Sequence, residues 1–211
     1  VLMISVFNMV GRIFWASMSD FIGRKPTYFI FFSLGILLYL SIPFTAKAMS
    51  VDPIVTYLIL FYAASMVIFT MYGGGFATIP AYLADIFGTK YVGGIHGRLL
   101  TAWSTAGVLG PVAITQLRQN SVDSAINDLV SKISPEKFTE IYGASVENLS
   151  LLVQEKTVTI SNLMPHMPEG TINPSTTLYN STMFAMAGLL AIAFVSNLLI
   201  GPVNEKHHMK E

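Results

Sequence analysis

The sequence predicts an all-α membrane protein with five transmembrane helices and a polar insert before the last helix. Hydrophobic residues make up 53% of the 211 residues and charged residues only 11%, whereas about a quarter of the residues in an average soluble domain are charged. The mean hydropathy is +0.59, and five apolar runs are long enough to cross a bilayer. The chain has no cysteine, which excludes a disulfide framework or a thiolate metal site within it.

Each predicted span is close to the roughly 20 mostly apolar helical residues that a hydrocarbon core of about 30 Å requires. A cleaved signal peptide would be one short apolar run followed by soluble sequence, so the five runs exclude that interpretation. The predicted spans are residues 1–18, 27–46, 54–78, 95–117 and 181–201.

The distribution of Lys and Arg predicts the orientation of these spans, because basic residues near span ends stay on the cytoplasmic side. On one side, the short connection carries only Lys47. The other side and the C-terminal tail carry Arg24, Lys25, Lys90, Arg98, Lys206 and Lys210. We therefore expect residue 1 outside and the C-terminus in the cytoplasm. The protein would be an integral, multi-pass protein of a plasma membrane or a bacterial inner membrane.

The segment 119–179 separates the membrane helices of residues 1–118 from the last helix and tail, residues 180–211. It holds seven acidic residues and three lysines, and the orientation above makes it an extracytoplasmic insert. Ser134 is a predicted N-cap with Pro135 at the first helical position, and this short helix would end at Gly143. Ser145 marks a second helix start. The insert is thus either a solvated cap of short helices or a segment without fixed structure.

Arg12 lies in the middle of the first predicted span. An arginine there costs about 2.5 to 3.5 kcal/mol on insertion scales, and such residues almost always face a bundle interior or a water-filled cavity. Asn8 lies four residues earlier on the same helix face, beside a guanidinium fork that matches a carboxylate. Arg12 therefore binds either an anionic ligand or an acidic side chain. No acidic residue lies inside a predicted span of this chain, which favours the ligand.

A burst of charge follows the first span in the stretch ASMSDFIGRKP. It holds Asp20, Gly23, Arg24 and Lys25, and Gly23 supplies the backbone freedom of a tight turn. The pattern resembles the G-x-L-a-D-r-x-G-R-K motif of the major facilitator superfamily, with Ala16 where the superfamily usually has glycine. The resemblance implies that these four residues form a gating motif on the cytoplasmic side.

A longer stretch, MYGGGFATIPAYLADIFGTKYVGGIHGRLLTAWSTAGVLGP at residues 71–111, resembles the tenth and eleventh helices of the oxalate/formate antiporter family, which is related to monocarboxylate transporters. With NMVGR and SDFIGRK, the resemblance covers residues 1–118 and the last helix, but not the insert. It implies that the five spans are helices 8 to 12 of a twelve-helix fold whose N-terminal half is missing from this chain. It also implies alternating-access transport of a small organic anion, with a proton or a counter-anion as the coupling partner.

The same resemblance implies roles for individual residues. It makes Arg12 the arginine of the eighth helix that contacts the substrate carboxylate, and it puts Trp103 where oxalate-carrying members are expected to have a lysine. One buried cation suits a monoanion, so a monocarboxylate such as lactate, pyruvate or formate is favoured over oxalate. We predict a substrate site of Arg12, Asn8 and Trp103, without a cofactor, a metal or a nucleic acid partner.

Several features leave two interpretations open. His96, near the cytoplasmic end of its span, is either a proton relay or a structural residue at the membrane interface. Trp103 either lines the substrate cavity or packs between helices. Gly73, Gly74 and Gly75 provide either flexibility for gating or close helix packing. The alternative functions are a polytopic membrane enzyme, which needs a cluster of catalytic groups that the spans lack, and a channel subunit, whose filter motifs are not recognisable here.

Overall fold

The computed structural model describes residues 2–51 and 54–201, without the side chains of residues 50 and 51. Every regular element in these ranges is helical, as predicted. The helices are α1 (Leu2–Ile22), α2 (Arg24–Val51), α3 (Val55–Phe87), α4 (Val92–Val130), α5 (Pro135–Tyr142), α6 (Leu149–Gln154), α7 (Ile160–Leu163) and α8 (Asn180–Leu199), with 3-10 turns at Val146–Asn148, Met164–His166 and Pro174–Thr176. Lys206 and Lys210, on which the predicted side of the C-terminus partly depends, lie outside the described residues.

Four helical segments in the described ranges are long and apolar enough to cross a membrane. They are Leu2–Ile22, Arg24–Met49, Val55–Phe87 and Pro174–Leu199. The fifth predicted span, residues 95–117, is helical and lies within α4, but α4 does not reach the same apolar character. His96, Arg98 and several hydroxyl-bearing residues interrupt its apolar sequence. The predicted number of five spans is therefore not confirmed.

Helices α1 and α3 pack with their backbones nearly touching, and glycines make this approach possible. A Cβ atom added to Gly73 would lie 2.1 Å from the carbonyl oxygen of Asn8, and one added to Gly11 would lie 2.1 Å from that of Thr70. A Cβ on Gly74 would lie 2.4 Å from the Cβ of Trp15. The structure thus supports close helix packing for Gly73 and Gly74.

An aromatic core holds the first three helices together. Trp15 meets Phe31 edge to face with ring centroids 4.9 Å apart, a favoured aromatic geometry. Polar atoms of the core rings are paired across helices, since Trp15 Nε1 donates to Thr70 Oγ1 at 3.2 Å and Tyr28 Oη donates to the Gly75 carbonyl at 2.6 Å. Rings and hydrogen bonds together fix how α1, α2 and α3 face one another.

The segment around residues 119–179 has a hydrophobic core of its own. Helix α4 runs unbroken past residue 118, and its last turns contribute Ile126 and Leu129, which pack with Phe138 and Leu163 from the shorter helices. Phe138 and Leu163 are fully buried. The predicted cap is confirmed, because the backbone N–H of Lys137 donates to Ser134 Oγ at 3.3 Å. Residues 119–179 therefore comprise the end of α4 and several short helices packed around one hydrophobic core.

The charged loop that follows α1 lies at one end of α8, and the insert lies at the other end. Lys25 Nζ donates to the carbonyl of Leu198, near the end of α8, at 3.0 Å. The guanidinium of Arg118 in α4 lies 5.8 Å from the ring centre of Tyr179, which directly precedes α8. At 1.5 Å per residue, the 20 residues of α8 separate these two contacts by about 30 Å.

Candidate functional site: an exposed arginine at mid-helix

Arg12 lies at the centre of α1, ten residues from each end of the helix. The helical rise of 1.5 Å per residue places it about 15 Å from either end. Its side chain is exposed, and Nε donates a hydrogen bond to Oδ1 of Asn8 at 3.2 Å. Among residues 2–51 and 54–201, no acidic side chain forms an ion pair with it. The charge of Arg12 is thus not neutralised within the described part of the chain.

One aromatic ring of α3 contacts this guanidinium, and ring–ring contacts extend from it to α4. Its central carbon lies 5.4 Å from the ring centre of Phe76 in α3. Phe76 in turn meets Trp103 of α4 edge to face at 5.3 Å, and Trp103 lies 5.6 Å from Tyr72. The structure therefore brings together the three predicted substrate-site residues through Phe76. We call Asn8, Arg12, Tyr72, Phe76 and Trp103 the Arg12 cluster.

The hydrogen-bond donors of Arg12 that remain free determine what the Arg12 cluster can bind. Nε is taken by Asn8, whereas the two terminal nitrogens of Arg12 have no hydrogen-bond partner among the described residues. The Phe76 ring attracts the cation through its quadrupole, by about 0.5 to 1 kcal/mol at an exposed site, and does not neutralise it. The guanidinium is therefore oriented and still able to donate two parallel hydrogen bonds, the geometry that a carboxylate accepts.

A cavity of about 400 Å³ lies beside the cluster, among α1, α2 and α3. Asn8 and Tyr72 line it together with Ser5 and Tyr39, whereas Arg12 does not. The guanidinium of Arg12 therefore lies outside this cavity, next to Phe76.

The predicted gating motif forms a charge network between α1 and α3. Arg24 donates to Asp20 and to Ser19 through its two terminal nitrogens, and its Nε lies 3.7 Å from Oδ2 of Asp85 in α3. Gly23 adopts a φ of +89°, a conformation that side-chain-bearing residues rarely tolerate. The sharp turn at Gly23 allows Arg24 to reach back to α1 and across to α3.

Lys25 connects the same loop to the last helix. Its Nζ donates to the carbonyls of Leu198 and Ile200, where a cation favourably meets the negative end of the helix dipole. Asn197 completes the connection, because its Nδ2 donates to the Lys25 carbonyl at 3.2 Å and its Oδ1 accepts from Tyr82 Oη at 2.9 Å. The motif therefore joins α1, α2, α3 and α8 at one end.

His96, the predicted alternative proton relay, lies in the first turns of α4. Its Nδ1 is buried and has no hydrogen-bond partner in the part of the chain that the structure describes. No hydrogen bond, ion pair or ring contact in that part joins His96 to the Arg12 cluster or to the loop. Its role stays a prediction.

Sequence reasoning missed several residues of these sites. Phe76 and Tyr72 were not assigned to the substrate site, and Asp85 and Asn197 were not assigned to the loop network. The spacing could have indicated Phe76, because a residue three positions after Gly73 lies on the same face of α3, and Gly73 packs against α1. Asn197 stood out only as an amide within an apolar helix.

The chain is similar to one curated transporter. It is 31% identical over 106 residues to the oxalate:formate antiporter of Oxalobacter formigenes. The aligned region covers 50% of this chain and 23% of the relative, so the chain spans about a quarter of that protein. No protein-family profile matches the chain, and no solved structure matches it. This similarity, which covers 50% of the chain, agrees with the resemblance to the oxalate/formate antiporter family.

Proposed function

We propose that this chain is part of a secondary active transporter that moves a small organic anion across a membrane by alternating access. The observation that carries the proposal is Arg12, an exposed and unneutralised arginine at the centre of an apolar helix. The partial similarity to an antiporter supports transport over the enzyme and channel alternatives. An enzyme would need a catalytic cluster, which the Arg12 cluster does not resemble.

The wider architecture is part of the same proposal. The helices correspond to helices 8 to 12 of a major facilitator fold, with α4 as the eleventh helix and a further half of the transporter completing the cavity. The exposed face of α4 around Trp103, which is 48% exposed, would then face that half. The charged loop lies on the cytoplasmic side and the insert on the opposite side.

The substrate class follows from the count of cations in the Arg12 cluster. One guanidinium balances one carboxylate, and the remaining members of the cluster are an amide and three aromatic rings. A second carboxylate would meet Trp103 and Phe76, which carry no counter-charge. A monocarboxylate such as lactate, pyruvate or formate is therefore the favoured substrate, exchanged for another anion or carried with a proton.

The loop network serves as the cytoplasmic gate in this proposal. Arg24 holds Asp20 on α1 and Asp85 on α3 at the same time. Charge pairs of this kind at helix ends can exist in one conformation and break in the other. The network would stabilise the conformation that is closed on this side.

The proposal is tested by monocarboxylate uptake and binding in proteoliposomes that contain the purified transporter with both of its halves. Arg12→Lys keeps the charge but loses the planar fork, so affinity should fall roughly tenfold to a hundredfold, as expected for a charge-assisted hydrogen bond of about 1.5 to 3 kcal/mol. Arg12→Ala should abolish binding while the protein still inserts. Arg98→Ala, which removes an exposed arginine of α4 outside the cluster, is the control and should bind normally. Binding by Arg12→Ala at parental affinity would contradict the proposal.

A further inference from the structure

A second cavity, of about 970 Å³, lies at the insert. Helix α4 forms one wall from Arg118 to Asn127, and α6, α7 and the turn at Lys156 form the other. The volume is at the upper end of the roughly 300 to 1,000 Å³ typical of small-molecule sites. No residue of the Arg12 cluster lines it, so it is a separate site at the other end of α4.

The apolar part of this cavity is preformed. Ile126, Val158 and Ile160 line it, and all three belong to the insert core, with exposed fractions of 2%, 1% and 7%. Their positions are therefore fixed by packing within the insert and do not depend on a ligand. The apolar floor open to a ligand is formed by the half-buried Val122, Leu149 and Val153, which line the cavity and pack against this core.

The charges of the insert are unevenly shared between this cavity and the rest of its surface. Residues 118–179 contain seven acidic and four basic residues, yet the cavity is lined by two basic residues, Arg118 and Lys156, and by one acidic residue, Asp123. Asp123 accepts a hydrogen bond from Gln119 at 2.8 Å. Neither Arg118 nor Lys156 belongs to an ion pair in the described ranges. A net positive charge therefore remains in the cavity of an otherwise acidic insert.

We propose that this cavity binds an organic anion with an apolar body, such as an aromatic carboxylate. The anionic group would meet Arg118 and Lys156, and hydroxyl groups that also line the cavity, those of Ser150, Thr159 and Ser161, supply further donors. The apolar body would cover the preformed floor. This proposal does not depend on the role of Arg12.

Lys156 allows a test that separates charge from folding. It adopts a φ of +58°, the one positive value among the described non-glycine residues. Asn tolerates this conformation better than most residues, so Lys156→Asn removes the charge without disturbing the turn. Lys137→Gln is the matched control, because it makes the same change in net charge at a lysine of α5 that does not line the cavity.

The probe is 4-fluorobenzoate, followed by ¹⁹F NMR line broadening on the purified protein in lipid nanodiscs. All variants carry Arg12→Ala, which removes the cation of the proposed transmembrane site. Binding at the cavity is recognised by its dependence on Arg118 and Lys156, whether or not Arg12 binds an anion. We expect the Arg12→Ala parent and the Lys137→Gln variant to bind alike. Lys156→Asn and Arg118→Gln should each bind about tenfold more weakly, as the loss of a charge-assisted hydrogen bond implies.

Three results would overturn the proposal. The first is a parent that does not broaden the probe, and the second is binding by Lys156→Asn and Arg118→Gln as tight as that of the parent. The third is binding of the neutral analogue 4-fluorobenzyl alcohol as tight as that of the carboxylate, which would show an apolar pocket without selectivity for anions.

Discussion

The guanidinium carbon of Arg12 lies 5.4 Å from the centre of the Phe76 ring, and the same ring meets Trp103 edge to face. This relationship joins α1, α3 and α4 around a single cation. The Phe76 ring contacts the cation but carries no negative charge, so the charge of Arg12 remains available to a ligand. The contact makes Phe76 a positioning residue for Arg12 in the proposed transporter.

Replacing the ring of Phe76 should weaken substrate binding without abolishing it. Phe76→Leu keeps an apolar side chain but removes the ring quadrupole, worth about 0.5 to 1 kcal/mol at an exposed site, or roughly two- to fivefold in affinity. The dissociation constant of a monocarboxylate measures this change. Phe44→Leu is the control, since Phe44 is 69% exposed on α2. Equal affinities for Phe76→Leu and the parent would show that the ring does not orient Arg12.

The glycines of α3 should differ in their tolerance of alanine. Gly73→Ala puts a methyl group 2.1 Å from the Asn8 carbonyl oxygen, whereas Gly75→Ala meets only the Phe31 ring at 3.8 Å, an ordinary contact. Overpacking of this kind costs typically about 1 to 3 kcal/mol, so Gly73→Ala should unfold at a lower temperature in detergent. Gly75→Ala should be stable and active. Loss of transport in a stable Gly75→Ala protein would instead favour flexibility at this position.

The loop network should control the rate of transport more than the affinity. Asp20→Asn and Asp85→Asn each remove one carboxylate partner of Arg24, so both should lower the maximal uptake rate with KM nearly unchanged. Because both act through Arg24, the double variant should lose less than the two single effects combined. Asp128→Asn breaks a similar surface pair with Lys132 and serves as the control. A large rise in KM at an unchanged maximal rate would refute the gating role.

Asn197 should be essential for the stability of the loop end. It is 3% exposed, and Asn197→Leu would remove its hydrogen bond to the Lys25 carbonyl and leave the buried Tyr82 hydroxyl without its acceptor, at about 1 to 3 kcal/mol for the unpaired hydroxyl. The thermal unfolding temperature should fall clearly. Ser196→Ala removes only a hydrogen bond to the Ile192 carbonyl on the same helix and should leave that temperature almost unchanged. Similar values for the two variants would mean that Asn197 does not connect α8 to the loop.

The two ends of α8 should face different compartments. The chain lacks cysteine, so single cysteines introduced into it report accessibility once any cysteine elsewhere in the transporter has been replaced. Glu140→Cys in α5 should react with a membrane-impermeant maleimide on intact cells. Thr89→Cys, in the exposed turn between α3 and α4, should react only after permeabilisation. The reverse pattern would invert the proposed topology.

Local sequence was sufficient for features that depend on neighbouring residues. Apolar length predicted the helices α1, α2, α3 and α8, and residue type predicted the cap at Ser134 and the turn at Gly23. The hydrogen bond between Arg12 and Asn8 follows from helical spacing of four residues. Each of these depends on the backbone conformation of one short segment, which the residues of that segment decide.

Only the tertiary structure decided which faces of the helices meet. Phe76 joined the Arg12 cluster because Gly73 and Gly74 bring α3 against α1. Lys25 reached α8 across 173 residues of sequence. Helix α4 continued past its predicted end because Ile126 and Leu129 are buried by the insert. Burial is shared between segments that are distant in sequence, so no single segment carries the information that determines these contacts.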